Sequence, residues 1–228
     1  MKQIPLPIGP EPLATFENYL AGRNAAALEH LQSLTMPSAP LYLWGPPGSG
    51  KTHLLRALAY GCRQAGRQFG WFGAGDMLPW TLSPDLALVV IDGAQSLDAT
   101  AQQAAFALFV EAGTHGVQVA AAGRLPPVDL PLRDDLRSRF GWGHVFALHA
   151  LTEPETRAVL KREADRRGIL LGDELIDYLL TRFPRDLQHL MRLLDGLDRF
   201  ALAKGRLVTV PLLRQMLIEE GMPEAMSP

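Results

Sequence analysis

Eight residues constrain this chain more than any others: Gly45-Pro46-Pro47-Gly48-Ser49-Gly50-Lys51-Thr52. They come after a short apolar run, Leu41–Trp44, that reads as a buried strand. After them, from Lys51 to Ala65, Leu54, Leu55, Leu58, Ala59 and Cys62 fall on one helical face. The pattern G-x-x-x-x-G-K-[ST] between a strand and a helix is a phosphate-binding loop. Its glycines let the backbone wrap closely around phosphates, the loop N–H groups converge on the anion, and Lys51 reaches the outer phosphates. Thr52 supplies a hydroxyl to Mg²⁺. His53 comes directly after and counts with the cradle's nucleotide-binding residues, its side chain reading as a packing or polar-surface group rather than as a catalyst.

The rest of the chain extends that unit. Apolar segments at Gln68–Phe72, Leu86–Ile91, Val117–Ala122 and Val145–Leu148 read as four further strands, separated by helical patterns at Thr100–Ala112 and Leu132–Phe140. Strands alternating with helices predict an α/β domain with a five-stranded parallel sheet sandwiched by helices. Thr15–Leu34 reads as helical, ahead of the first strand. Beyond Leu151 the strand pattern stops, and 153–167, 173–182, 186–203 and 211–220 read as four helices. Thr152 and Asp173 stand as N-caps, with Pro211 in a first turn. The expected layout is an extended arm over 1–12, the α/β nucleotide-binding domain over 13–150, a small all-α domain over 151–221 and a loose tail over 222–228. Trp44, Trp71 and Trp80 read as core or near-core aromatics, the last in a surface loop.

Composition narrows the function classes. With 47% apolar and 20% charged residues, the 228-residue chain has enough apolar surface to fold as one large domain or a domain with a small appendage. A net charge of −2 argues against tight, unaided binding to a DNA duplex. One cysteine, Cys62, excludes an internal disulfide and a cysteine-built metal site, and fits a reducing compartment. No apolar run approaches the roughly 18 residues of a spanning helix, and the N-terminus has no signal-peptide pattern. The expectation is a cytoplasmic protein with no membrane partner. Arginine supplies 18 of the 22 basic residues, which base composition explains without any function.

Asp92 ends the apolar run Leu88-Val89-Val90-Ile91, where a P-loop protein places the aspartate that positions Mg²⁺. The next residue is Gly93, where many ATPases carry a second acid that activates water. In order along the chain, three further motifs then resemble those of AAA+ proteins of the DnaA family. Thr15-Phe16-Glu17-Asn18-Tyr19 is similar to the box that lies against the adenine. Leu136-Arg137-Ser138-Arg139-Phe140-Gly141-Trp142-Gly143 is similar to the box that carries the arginine finger, here Arg139. Phe183-Pro184-Arg185-Asp186-Leu187 is similar to the sensor 2 motif, so Arg185 would reach the chain's own nucleotide.

The resemblance implies a P-loop AAA+ sheet followed by a helical lid, a bound ADP or ATP with Mg²⁺, and DnaA as partner. Two positions depart from the pattern: Gly93, and Ala122-Gly123-Arg124 where a polar sensor 1 residue is usual. Both argue for weak or no ATPase activity of the chain's own. The sequence also stops after the lid, with no segment for the DNA-binding domain of an initiator. Gln3-Ile4-Pro5-Leu6-Pro7-Ile8 resembles the motif that binds the DNA polymerase III sliding clamp (its β subunit), with Gln3 hydrogen-bonding and Leu6 and Ile8 buried on docking, Ile4 and Pro7 completing the peptide. Together these resemblances imply a negative regulator of replication initiation that reaches DNA only indirectly or weakly, through the clamp, and uses Arg139 to stimulate hydrolysis in DnaA. Alternatives are an autonomous ATPase acting as helicase loader or remodelling motor, and a purely recruiting adaptor. Self-association as a homodimer stays open.

Overall fold

The structure is a computed structural model that describes residues 14–183 and 187–221. The expected arm with Gln3, Ile4, Leu6, Pro7 and Ile8, the sensor 2 residue Arg185 and the tail 222–228 lie outside the described residues. The chain divides into two compact units between Ala150 and Leu151.

In the first unit a sheet is built from β1 (Leu41–Trp44), β2 (Gln68–Gly73), β3 (Leu86–Asp92), β4 (Gln118–Gly123) and β5 (His144–Ala147). Its order is β2-β3-β4-β1-β5 and every pairing is parallel. Four helices cover it: α1 (Ala25–Ser33), α2 (Lys51–Gln64), α3 (Ala99–His115) and α4 (Asp134–Gly141). The continuous apolar run in β3 reflects burial on both faces, as parallel sheets require. Leu88 and Val90 pack with Ala27, Leu31, Leu54 and Leu58, whereas Val89 and Ile91 pack with Ala105, Leu108, Leu136 and Phe140. In β4, Ala120 and Ala122 join the first cluster, and Val119 and Ala121 the second. Each fully buried Leu or Ile contributes about 1.5–3 kcal/mol, so α1 and α2 are fixed to one face and α3 and α4 to the other.

The expected helix over Thr15–Leu34 is shorter than its apolar pattern. Residues 15–18 form a turn in which Thr15 N–H donates to Asn18 Oδ1 (2.9 Å) and Asn18 N–H donates to Thr15 Oγ1 (3.4 Å). A single 3₁₀ turn, Gly22–Asn24, comes next, before α1 begins. Phe16 and Tyr19 still pack on the core from that turn, which is why they imitate a helical stripe. Trp80, in the connection between β2 and β3, is buried in the core at 7% exposure.

The second unit holds α5 (Glu153–Arg166), α6 (Asp173–Arg182), α7 (Leu187–Lys204) and α8 (Val210–Glu219). Its core joins Leu160, Ile176, Leu179, Leu190, Leu197 and Met216. Thr152 caps α5 through a capping box with Glu155, whose carboxylate accepts from the Thr152 N–H at 2.7 Å. Asp173 is not a cap: α6 starts on it, with Gly172 in the capping position, and there its charge favours the helix dipole. It also pairs with Lys161 on α5 at 2.6 Å, an exposed pair that sets register more than it adds stability.

Candidate functional site

The chain leaves β1 at Trp44 and turns at once, and the geometry of that turn explains its composition. Gly45 N–H donates to the carbonyl of Gly123 at the end of β4 (3.3 Å), and a Cβ on Gly45 would stand 2.2 Å from the Leu148 carbonyl oxygen. Gly50 has φ +88°, and a Cβ there would meet the Tyr19 ring at 2.5 Å. These glycines therefore let the loop lie close against three neighbouring segments, the end of β4, Leu148 and Tyr19. The turn sits where the chain, having run outward to β2 and back, crosses β1 to reach β5. In open α/β sheets this switch point, at the carboxyl ends of the strands, is where ligands bind.

Lys51 currently donates its ammonium to the loop's own carbonyls, Gly45 O and Pro46 O, both at 2.8 Å, and to Ser49 Oγ at 3.3 Å. Burial pulls the Lys51 pKa below its ordinary value, Asp92 opposing that shift and Arg124 adding to it. Thr52 Oγ1 donates to Asp92 Oδ2 at 2.8 Å, so the two expected Mg²⁺ ligands are already side by side. No cluster of three or more His, Cys, Asp or Glu side chains able to hold a metal occurs among the described residues. A cation here would share one carboxylate and one hydroxyl with phosphate oxygens and water, which is how Mg²⁺ is usually held. A cradle that has no room for side chains at Gly45 and Gly50, with an ammonium and this oxygen pair at its mouth, suits a nucleotide's phosphates with Mg²⁺.

Residues from outside the loop hold it in place. Tyr19 Oη donates to Ser49 O (3.2 Å) and accepts from Asn24 Nδ2 (3.0 Å). Asn24, 3% exposed, also donates to His149 O (2.9 Å), and its Oδ1 accepts from His149 N–H (2.8 Å). His53 Nε2–H donates to Thr15 O at 2.9 Å, with its ring 5.5 Å from that of Tyr19. Burial lowers the His53 pKa, against the hydrogen bond to Thr15 and helped by Arg56. His53 is thus a clasp between the N-terminal turn and α2.

The structure brings Gly45–Thr52, His53 and Asp92 together and leaves Arg139 apart from them. Arg139 lies on α4, which ends at Gly141. Three residues later His144 N–H donates to Pro40 O (2.7 Å), at the start of β1. The loop leaves β1 at its other end, four residues and roughly 10 Å on. The Arg139 guanidinium sits over the rings of Trp142 (5.2 Å) and Phe106 (5.9 Å). Trp142 is 70% exposed. Asn24, Gln95 and Tyr42 escape sequence reasoning. Gln95 Oε1 accepts from Arg124 N–H (2.9 Å), tying the residues after β3 to those after β4. Tyr42 Oη donates to Leu125 O (3.0 Å) and fills the space beside Gly123. A lone buried asparagine or an isolated glutamine in a loop carries no periodic signal.

This sheet order, with a P-loop at the switch point and an all-α unit after it, defines a DnaA-like AAA+ protein. Domain III of the Thermotoga maritima replication initiation protein DnaA superposes with a TM-score of 0.74 at 21% identity, covering 92% of this chain and 98% of that one. AMPPCP-bound DnaA from Aquifex aeolicus gives 0.66 at 23% identity over 82% of this chain and 66% of that one. Residues 153–217 match the family model for the Hda lid domain. In an alignment of 227 positions that covers 95% of this chain and 98% of the other, the chain is 33% identical to an uncharacterized protein of Haemophilus influenzae. The chain therefore joins an α/β unit of DnaA-like AAA+ fold to a lid of the Hda family.

Proposed function

We propose that this protein holds a nucleotide in the cradle of Gly45–Thr52 and stimulates ATP hydrolysis by DnaA with Arg139, while the arm Gln3–Ile8 tethers it to the sliding clamp. The observation that carries this reading is the separation of the finger from the cradle. Arg139 belongs to the opposite end of the sheet, so it can serve a nucleotide held by another protein. A guanidinium suits that role because it stays charged and grips phosphate oxygens in two places. A finger supplied in trans is worth about 10³–10⁵ in rate, or about 4–7 kcal/mol of barrier.

In its own cradle, Lys51 exchanges the carbonyls of Gly45 and Pro46 for phosphate oxygens, and Thr52 and Asp92 hold Mg²⁺. The bound ADP or ATP with its cation supplies a dense, fixed charge that orders the loop. Gly93 and Gly123 give the site no side chain to take a proton from water, which supports weak or absent turnover. Arg185, by resemblance, reaches the same nucleotide from the lid. The arm (1–12), the nucleotide-binding domain (13–150) and the lid (151–221) then divide tethering, binding and sensing between them, in the cytoplasm. Among the described residues no helix is long and apolar enough to cross a membrane.

The experiment mixes the protein with DNA-loaded clamp and ATP-bound DnaA and tracks phosphate release. Arg139→Ala abolishes the stimulation and leaves clamp binding intact. A variant that stimulates like wild type sinks the finger. In parallel, Gln3→Ala with Leu6→Ala removes clamp binding and keeps nucleotide binding; unchanged clamp affinity rules out the tether.

A further inference from the structure

Gly93 and Gly123 leave two places at the mouth of the cradle without side chains, and one residue occupies the space between them. A Cβ built on Gly93 has Gln95 Nε2 as its nearest neighbour, at 3.8 Å. One built on Gly123 has Gln95 Oε1 at 3.4 Å. The same Gly123 accepts through its carbonyl from Gly45, the first residue of the cradle. The carboxamide of Gln95 therefore stands between the residue that follows Asp92 at the end of β3 and the residue at the end of β4 whose carbonyl holds Gly45.

Its orientation is fixed by chemistry. Arg124 N–H is a donor and needs an acceptor, so the side facing it must be Oε1, at 2.9 Å. That leaves Nε2 on the Gly93 side, where Ser96 Oγ accepts from it at 3.2 Å. Ser96 is the single partner of that nitrogen among the described residues, so one of its two N–H bonds stays available. An amide presented this way donates to an anion and cannot take up a proton. Lys51 and Arg124 already make this corner positive.

We propose that Gln95 donates to the terminal phosphate of a nucleoside triphosphate, reading its presence without activating water, so that the site discriminates triphosphate from diphosphate. This rests on the reading of Gly45–Thr52 as a nucleotide cradle. It assigns the discrimination to a residue outside the loop and outside the two glycine positions.

The test measures the affinities of wild type, Gln95→Ala and Gln95→Glu for AMPPCP and for ADP, each with Mg²⁺, by calorimetry. Gln95→Glu keeps the acceptor that Arg124 N–H needs and replaces the donor by a negative charge. It therefore decides the matter even where Gln95→Ala disturbs the loop. Losing one hydrogen bond to a charged acceptor weakens AMPPCP by about tenfold or more in both variants, and ADP by less than about twofold. Equal changes for the two ligands, or unchanged AMPPCP affinity in Gln95→Glu, overturn the proposal while the cradle reading stands. If wild type takes up neither ligand, the cradle reading fails and this one with it.

Discussion

Replacing Gly123 by alanine tests why the sensor position carries no side chain. A Cβ there would lie 2.1 Å from Tyr42 Oη and 3.2 Å from its Cζ. The first contact is about 1 Å or more inside van der Waals range, in a place where neither residue can retreat to solvent. Tyr42 is fully buried, stacked on Phe140 at 5.2 Å between ring centroids, and donates to Leu125 O. Gly123→Ala must therefore push the phenol aside, losing a hydrogen bond worth about 0.5–1.5 kcal/mol and adding overpacking of about 1–3 kcal/mol. The expected destabilisation is about 1.5–4.5 kcal/mol, by summing those two ranges. Tyr42→Phe alone costs about 1 kcal/mol for the lost bond. In the Tyr42→Phe background the 2.1 Å contact is gone, and only a ring carbon at 3.2 Å must yield. The double variant should then be less destabilised than the sum of the singles by about 1–2 kcal/mol. Urea unfolding read by tryptophan fluorescence suits the measurement, because all four tryptophans, Trp44, Trp71, Trp80 and Trp142, lie in the unit that ends at Ala150. Additivity within about 0.5 kcal/mol would refute the steric account and reopen a catalytic reason for the glycine.

Asn24→Ala removes three hydrogen bonds that join Tyr19 to His149 and should cost about 1–3 kcal/mol; a loss below about 0.5 kcal/mol in the same unfolding assay would show that water replaces them. His30 and His53 both have pKa values below the ordinary imidazole value, burial being the main cause, with His144 adding to it for His30 and Arg56 for His53. Both are neutral in the fold, and the unfolded chain takes up their protons near pH 6.5. Their stabilisation is therefore present above that pH and lost as the pH falls through the folded-state values. The urea midpoint should drop from pH 7 to pH 5, and His30→Gln should make that drop smaller; an unchanged slope would assign the drop to other groups.

Much of this architecture is legible in the order of residues. The phosphate loop shows itself because Gly45 and Gly50 stand at backbone positions where a Cβ would collide. The apolar run in β3 shows itself because both faces of that strand are covered. The N-terminal turn reads as helix because Phe16 and Tyr19 bury apolar rings at helical spacing without helical backbone. Asp173 reads as a cap because an acidic residue suits the first turn as well as the position before it. Least visible are the polar side chains that join distant segments. Asn24 meets His149 125 positions away, and Gln95 meets Arg124 29 positions away. No local pattern encodes such pairs, since each depends on where the sheet brings two strand ends.

The double-sided burial of β3 and β4 also makes the sheet a clock. Amides of Val89, Val90, Ala120 and Ala121 are paired within the sheet and lie at 0% exposure. Hydrogen exchange at such buried, paired amides is expected to need complete unfolding of their own unit. In the intact chain the exchange rate of these few amides reports the stability of the nucleotide-binding unit, separately from that of α5–α8. A partner that acts on one unit alone can then be told, amide by amide, from one that grips both.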